Sequence, residues 1–532
     1  MSKKNGNILA IGICFFLFAM ISFVTGLQNP MGIIVKNQFE VSNAMSQLGN
    51  LANFIAYAFL GLPAGFILKR RGYKFTALAA VTVGFVGVAI SFLSGVVGSF
   101  GVYLLGAFVS GFSMCMLNTV VNPLLNTLGG GGNKGNQLIQ LAGSCNSLAA
   151  TIVPVFVGYL MADAAKPSIQ DANPALFIAM GVFALAFVIL FFSHIPEPEL
   201  EAAKANHEKG EGTMSLIKGA LSYRHFVFGI IAIFLYVGIE VGVPNTVNNY
   251  LTTKDKQQLT EEVVANNVAI AELTNTELAL TEVDSLNLAN YMALKKDAIE
   301  DLIKDGRLKE NATLVDYMKV DKELAIDKEI KKMGKGATAD AALVNVLKEE
   351  NKGNIKKIED SNYQEGKGMD TSTAGAVVGF YWLLMLVGRL VGGAIGAKVS
   401  SRAMVATVSA VALVFLSLGI MLPETMVSFP SVTSELSFAM AQIPLGVVFF
   451  ILCGLCTSVM WGAIFNLAVE GLGKYTSIAS GLFMVMVCGG GIVPFIQGSV
   501  ADAAGFMTSF WVLVAAVAFI LWYALSGSKV KK

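Results

Sequence analysis

The segment IVPVFVGYLMADAA, residues 152–165, returns near the C-terminus as IVPFIQGSVADAA, residues 492–504. One gap aligns the two copies, and both close long apolar runs. The shared proline and aspartate are not generic features of small-residue helices, so the pair marks the chain as two related halves. The copies start 340 residues apart, at 152 and 492; a polar stretch, 252–370, accounts for 119 of these and leaves 221 per repeat. That length holds about six membrane helices of ~20 residues with short loops. The expected fold class is therefore an all-α membrane protein of twelve helices in two six-helix halves.

Composition agrees. The chain is 55% hydrophobic and 14% charged, with a mean hydropathy of +0.64, where soluble domains carry roughly 25% charged residues. A net charge of +1 gives no nucleic-acid footprint, and the 54 glycines suit close helix packing in lipid. Cys14, Cys115, Cys145, Cys453, Cys456 and Cys488 all fall in apolar runs. Cys453 and Cys456 form a CxxC, read here as small packing residues rather than a redox or metal pair. His194, His207 and His225 are too scattered for a metal site, and no metal or cofactor is expected. The first apolar run starts near Ile8 after Lys3 and Lys4; it is too long for a cleaved signal, lacks a small-residue cleavage site, and is read as the first span.

Apolar runs fall near 8–36, 46–68, 75–98, 100–128, 136–162 and 174–194, then near 224–251, 371–398, 403–422, 436–469, 475–501 and 506–527. Each is long enough to cross a bilayer. An even count puts both termini on one side. Lys69, Arg70, Arg71, Lys74, Lys134, Lys398, Arg402, Lys474, Lys529, Lys531 and Lys532 all fall on that side, which the positive-inside rule makes the cytoplasm. The domain plan is then 1–195 as the N-terminal half, 196–223 as a charged flexible linker, 224–251 as the seventh span, 252–370 as an outward-facing insertion, and 371–532 as spans eight to twelve. The insertion is rich in Ala, Leu, Glu, Lys and Asp with helical spacing, as in Tyr291 to Leu308, and reads as a small helical extramembrane domain.

Between spans two and three lies GFILKRRGYK, Gly65 to Lys74. It resembles the cytoplasmic signature of the major facilitator superfamily, with Lys69 where that signature usually has an acid. Gly65, Lys69, Arg70, Arg71, Gly72 and Lys74 are expected to form part of a cytoplasmic gate, the cations pairing with carboxylates or helix C-termini of a neighbour. The resemblance sharpens in LNTVVNPLLNTLG (117–129), CNSLAATIVP (145–154) and GLFMVMVCGGGIVP (481–494). These are similar to the fucose–proton symporter branch of the superfamily, which includes bacterial glucose/galactose permeases. The resemblance covers both membrane halves and leaves 252–370 as an unmatched insertion.

It implies a twelve-helix transporter with a central cavity lined by helices one, four, seven and ten, aided by five, eight and eleven. It implies no enzyme, in keeping with the lack of any nucleophile–base set. Two departures matter: the acids that the branch carries in helices four and one are Asn118 and Asn29 here. An amide cannot titrate, though it both donates and accepts hydrogen bonds.

One acid remains deep in an apolar run, Glu240 in YVGIEVGVPNTVNNY, 236–250. A carboxylate at membrane depth marks a substrate, ion or proton path, and Glu240 is the expected proton-coupling residue. Gln28, Asn29, Asn118, Asn122, Asn146, Asn245, Asn249, Trp461 and Asn466 are the expected sugar-binding set. Amides match hydroxyls in both hydrogen-bonding senses, and Trp461 offers a ring for a sugar's apolar face. Ordinary interhelical bonding is the rival role for each amide. Arg389, in LVGRLVGGAIGAK (386–398), is expected at the cytoplasmic gate. The resulting expectation is a monomeric sugar importer of a bacterial inner membrane, coupled to a proton or to sodium. A facilitative uniporter and a non-transporting nutrient sensor remain open, as do the sugar and the role of the insertion.

Overall fold

The computed structural model describes the chain except for residues 1–2, 28–30, 32–33, 36–44, 46, 130–131, 161–168, 170–171, 198–212, 335, 396–398, 423–424, 433–437, 473–474 and 531–532. It separates into two compact units: the membrane helices, and Tyr250–Asp370.

The membrane unit begins with α1 (Lys3–Gly26), α2 (Leu48–Val97), α3 (Phe100–Leu128), α4 (Gly132–Leu160) and α5 (Asn173–Phe192). A short α6 (Thr213–Leu221) precedes α7 (Arg224–Thr252). Among the described residues, ten helical stretches are long and apolar enough to span a bilayer, and eleven if a bent pair counts as one. In α4 the apolar part, Leu138–Val153, is shorter than a full span. The expected count of twelve is thus reached only in part among the described residues.

α2 carries two spans in one helix, broken at Gly72 (φ 85°, ψ 178°). The break frees the N–H groups that open the next helical stretch, and these need acceptors. Glu197 supplies them: Tyr73 N and Lys74 N donate to its carboxylate at 2.6 and 2.9 Å. Lys74 Nζ donates to the last carbonyls of the sixth span, Phe191 O at 2.9 Å and Ser193 O at 2.8 Å, a cation at a helix C-terminus. Gly72 is required twice: its φ is positive, and a Cβ would strike the Glu197 carboxylate.

Two features depart from the sequence reading. Glu197, expected in a flexible linker, is a fixed capping group. Two strands, β1 (Met426–Val432) and β2 (Phe438–Pro444), the latter assigned to the tenth span, pair antiparallel from Met426 with Pro444 through Val432 with Phe438. The Phe429 ring of β1 packs edge-on to Phe380 at 5.0 Å. The tenth span begins only at Leu445.

The second half runs α13 (Thr371–Ile395), α14 (Ser401–Met421), the two strands, then α15 (Leu445–Thr457) and α16 (Met460–Val469), bent by 42°. α17 (Thr476–Val485) continues through a 3-10 turn into α18 (Gly489–Ala504), and α19 (Phe506–Trp522) ends the unit. The second copy of the repeated segment lies on α18 and the first begins on α4; residues 161–165 of the first are outside the described residues.

Two helices of the first half, α2 and α4, pack against the second half. α2 lies on α17 and α18, where Asn50 Nδ2 donates to Gly490 O at 2.8 Å. A Cβ on Gly490 would stand 2.8 Å from the Phe54 ring, and one on Gly491 2.7 Å from Leu51 Cα. Of the three glycines, Gly491 thus serves close approach to the α2 backbone, Gly490 makes room for the Phe54 ring, and Gly489 faces the Phe234 carbonyl of α7. α13 lies on α4, where a Cβ on Gly379 would be 3.1 Å from Thr151 O.

The other unit packs α8 (Lys256–Thr274), α9 (Glu282–Lys304), α10 (Leu314–Asp321), α11 (Glu323–Met333) and α12 (Ala339–Glu359) around Tyr291, Tyr317, Met318, Leu343 and Leu347. Capping boxes at Asp255/Gln258, Thr281/Asp284 and Thr313/Asp316 start three of its helices. Lys322 is 5% exposed and bonds Glu350 at 3.0 Å, with Asp321 at 3.6 Å. Burial opposes its charge, yet the Glu350 and Asp321 carboxylates hold its pKa well above the usual lysine value.

Candidate functional site

α7, α13 and α4 converge on one buried ion pair. Glu240 Oε1 lies 3.3 Å from Arg389 Nη2, with side chains 15% and 11% exposed. Arg389 Nη1 also donates to Gly143 O at 2.7 Å and to Ser147 Oγ at 2.8 Å, both on α4. One guanidinium from the second half thus holds a carboxylate of its own half and two acceptors of the other. The physical reason is charge: two ions at membrane depth are tolerable when paired and hydrogen-bonded. Arg389, expected at the cytoplasmic gate, has its guanidinium on Glu240 and on α4.

Tyr236, one turn before Glu240, is fully buried. Its ring faces Trp461 at 6.2 Å, and Trp461 packs edge-on to Phe483 at 5.6 Å. Trp461 is half-buried in this aromatic row. On α13, the Tyr381 hydroxyl bonds Thr457 Oγ1 at 3.0 Å.

The amides divide into groups. Asn118 Nδ2 donates to Tyr57 Oη at 3.0 Å and Met114 O at 3.1 Å, and Asn122 Nδ2 to Asn118 O at 2.9 Å. Asn146 Nδ2 reaches Phe18 O at 3.5 Å. All three are half-buried. Each amide spends its donor on protein and leaves its oxygen without a partner among the described residues. Asn146 stands next to Ser147, in the Asn-Ser pair of the fifth span. Asn245 is different: buried, it donates to Gln47 Oε1 at 2.9 Å, from the start of α7's last turns to the residue that precedes α2. It ties the halves together beside Asn50. Asn249 is buried and Asn466 exposed. Gln28 and Asn29 lie outside the described residues, as does the side chain of Lys69. Arg70 and Arg71 are exposed, Arg71 over the Phe75 ring at 5.4 Å.

Ser147, Gly143, Gln47, Asn50 and Glu197 escaped the sequence reading as site residues. Ser147 was the one with a signal, since it sits in the CNS motif. The others are polar or small residues whose partners are over a hundred residues away.

This arrangement, two packed helical halves with ionisable and amide side chains between them, is that of a multi-pass membrane protein. The sequence profile of the Major Facilitator Superfamily matches residues 11–273. The chain shares the fold of solved major facilitator transporters and is similar in sequence to fucose and glucose/galactose permeases. The glucose/galactose transporter of Brucella abortus is 25% identical over 532 residues, covering 99% of this chain and 96% of the relative. The L-fucose-proton symporter of Escherichia coli is 22% identical over 265 residues, 45% of this chain and 60% of the relative. The crystal structure of the E. coli fucose:proton symporter superposes with a TM-score of 0.56 at 16% identity, covering 99% of this chain and all of that one.

Proposed function

We propose that the chain imports a hexose or deoxyhexose by alternating access, driven by a proton that Glu240 carries. The single observation behind this reading is the Glu240–Arg389 pair: a carboxylate held at membrane depth by one mobile cation can exchange its counter-charge for a proton. Asn118, Asn122 and Asn146 would receive the sugar's hydroxyls on their side-chain oxygens, with Trp461 on its apolar face. Asn245 and Gln47 act as a contact between the halves that must break when the site opens on their side. The N-terminal half, 1–195, would rock against 224–527.

The protein acts as a transporter rather than an enzyme, and works as a monomer in a bacterial inner membrane with both termini in the cytoplasm. The basic residues at Arg70, Arg71 and Lys74, and the fixed corner at Gly72, support that orientation and form the cytoplasmic gate. Sodium is the alternative coupling ion. A facilitative uniporter is the second reading, favoured by Asn118, an amide where the branch carries an acid.

Uptake into proteoliposomes with a panel of hexoses, with and without a pH or sodium gradient, tests the proposal. Accumulation under a proton gradient, abolished in Glu240→Gln while sugar exchange persists, is the expected result. No accumulation by wild type under either gradient gives the uniporter; no flux of any hexose overturns the transport reading.

A further inference from the structure

Arg389 joins the charge state of Glu240 to the contact between the two halves, because its three hydrogen bonds are divided between them. Nη2 faces Glu240 on α7 at 3.3 Å; Nη1 faces Gly143 O and Ser147 Oγ on α4 at 2.7 and 2.8 Å. The other titratable groups beside the carboxylate are the hydroxyls of Tyr236 on α7 and Tyr381 on α13. No second described acid shares the cation.

We propose that Arg389 is the positioning residue that converts protonation of Glu240 into parting of α4 from α13. With Glu240 ionised, Arg389 is neutralised in place and its remaining N–H groups clasp α4, keeping the helices packed. With Glu240 neutral, the same guanidinium is a buried cation whose partners among the described residues, the Gly143 carbonyl, the Ser147 and Tyr236 hydroxyls and the carboxyl itself, are all neutral. An uncompensated buried charge is strongly destabilising. Parting the helices admits water to the guanidinium and relieves it. The sign follows: proton binding weakens the α4–α13 contact, and the packed contact disfavours the proton by the same factor. Ser147 is the acceptor that a single substitution removes without touching either charge. The inference rests on Glu240 as the proton carrier proposed above, but its test requires neither sugar nor flux.

Thr151 and Gly379 face each other across the same helix pair. Cysteines at both, in the full chain with its six native cysteines replaced, should form a disulfide under copper–phenanthroline at a rate that reports packing. Glu240→Gln mimics the protonated carboxyl, and we expect it to slow cross-linking by about fivefold or more, the usual lower bound of site-to-site coupling. Glu240→Gln with Arg389→Gln removes the stranded charge, and should return the rate toward the parent. Ser147→Ala should slow it with both charges intact. An ion pair that is merely structural lowers thermal stability without this pattern. A parental rate in Glu240→Gln, or a double variant as slow as the single, overturns the proposal. If Glu240→Gln is not recovered folded, Ser147→Ala decides alone, a parental rate again refuting it. Failure of sugar uptake leaves these rates unaffected, so the two readings fail separately.

Discussion

Gly491→Ala places a methyl group where α18 has no room for one. Its Cβ would lie 2.7 Å from Leu51 Cα, 3.0 Å from Phe54 Cβ and 3.1 Å from Leu51 O. Carbon atoms in contact prefer roughly 3.5–4.0 Å, so the helices must separate by about 1 Å. The first obstacle is backbone, which cannot swing aside as a side-chain tip can. That separation stretches the Asn50–Gly490 bond from 2.8 Å beyond hydrogen-bonding range. Overpacking costs about 1–3 kcal/mol and the lost bond about 1 kcal/mol, together roughly 2–4 kcal/mol against the packed arrangement. At 1.4 kcal/mol per tenfold, that is roughly a 30- to 700-fold shift toward any state in which α2 and α18 are apart. The reporter is Gln47→Cys, a position 6% exposed at the same end of α2, labelled with a polar maleimide in a background free of native cysteines. Labelling should accelerate by at least tenfold when Gly491→Ala is added, while the protein remains monodisperse. An unchanged rate would refute the claim that this helix contact is the closed side of the transporter.

Ala at Asn118, Asn122 or Asn146 should weaken sugar binding by about 1–3 kcal/mol each, the cost of leaving a desolvated hydroxyl unmet; calorimetry beside a thermal-unfolding control reads it, and unchanged affinity in all three removes them from the site. In the insertion, Asp284 is held below the usual carboxylate range by the Thr281 hydroxyl and N–H, and Asp316 by the Thr313 N–H. Depressed carboxylates stabilise their helix starts at neutral pH and lose that effect as pH falls through about 4 and below. Hydrogen exchange in the full chain should therefore show the first turns of α9 and α10 opening on acidification, and Asp316→Asn should abolish the pH response of α10. A cysteine at Ser285 should react with an impermeant reagent in cells whose outer barrier alone is permeabilised; labelling only after inner-membrane lysis would place the insertion in the cytoplasm.

The membrane architecture was legible because lipid leaves few options: long apolar runs must be helices, and the repeated IVP segment counts them. The paired strands β1 and β2 were missed since β2 is apolar enough to pass for the start of a span, while their alternation became visible only as pairing. Glu240 announced itself by depth alone. Arg389 was read as a cation of the cytoplasmic gate and not as its partner, because 149 residues separate them and the insertion lies between. Asn245 was read as a cavity amide on helical spacing, which cannot distinguish a face toward sugar from a face toward Gln47. Glu197 sits among charged residues of linker composition, and nothing local reveals that a broken helix elsewhere needs its oxygens.

The insertion closes its own neck. Lys367 N donates to Tyr250 O at 3.0 Å, Gly368 N to Thr253 O at 2.8 Å and Met369 N to Leu251 O at 2.8 Å. Its entering and leaving strands are thus laced together by backbone alone, whatever their side chains. Both covalent tethers, moreover, enter the same half, through α7 and α13. A module attached in this way offers a single seam at which it can be shortened, replaced or fused to a fluorescent protein.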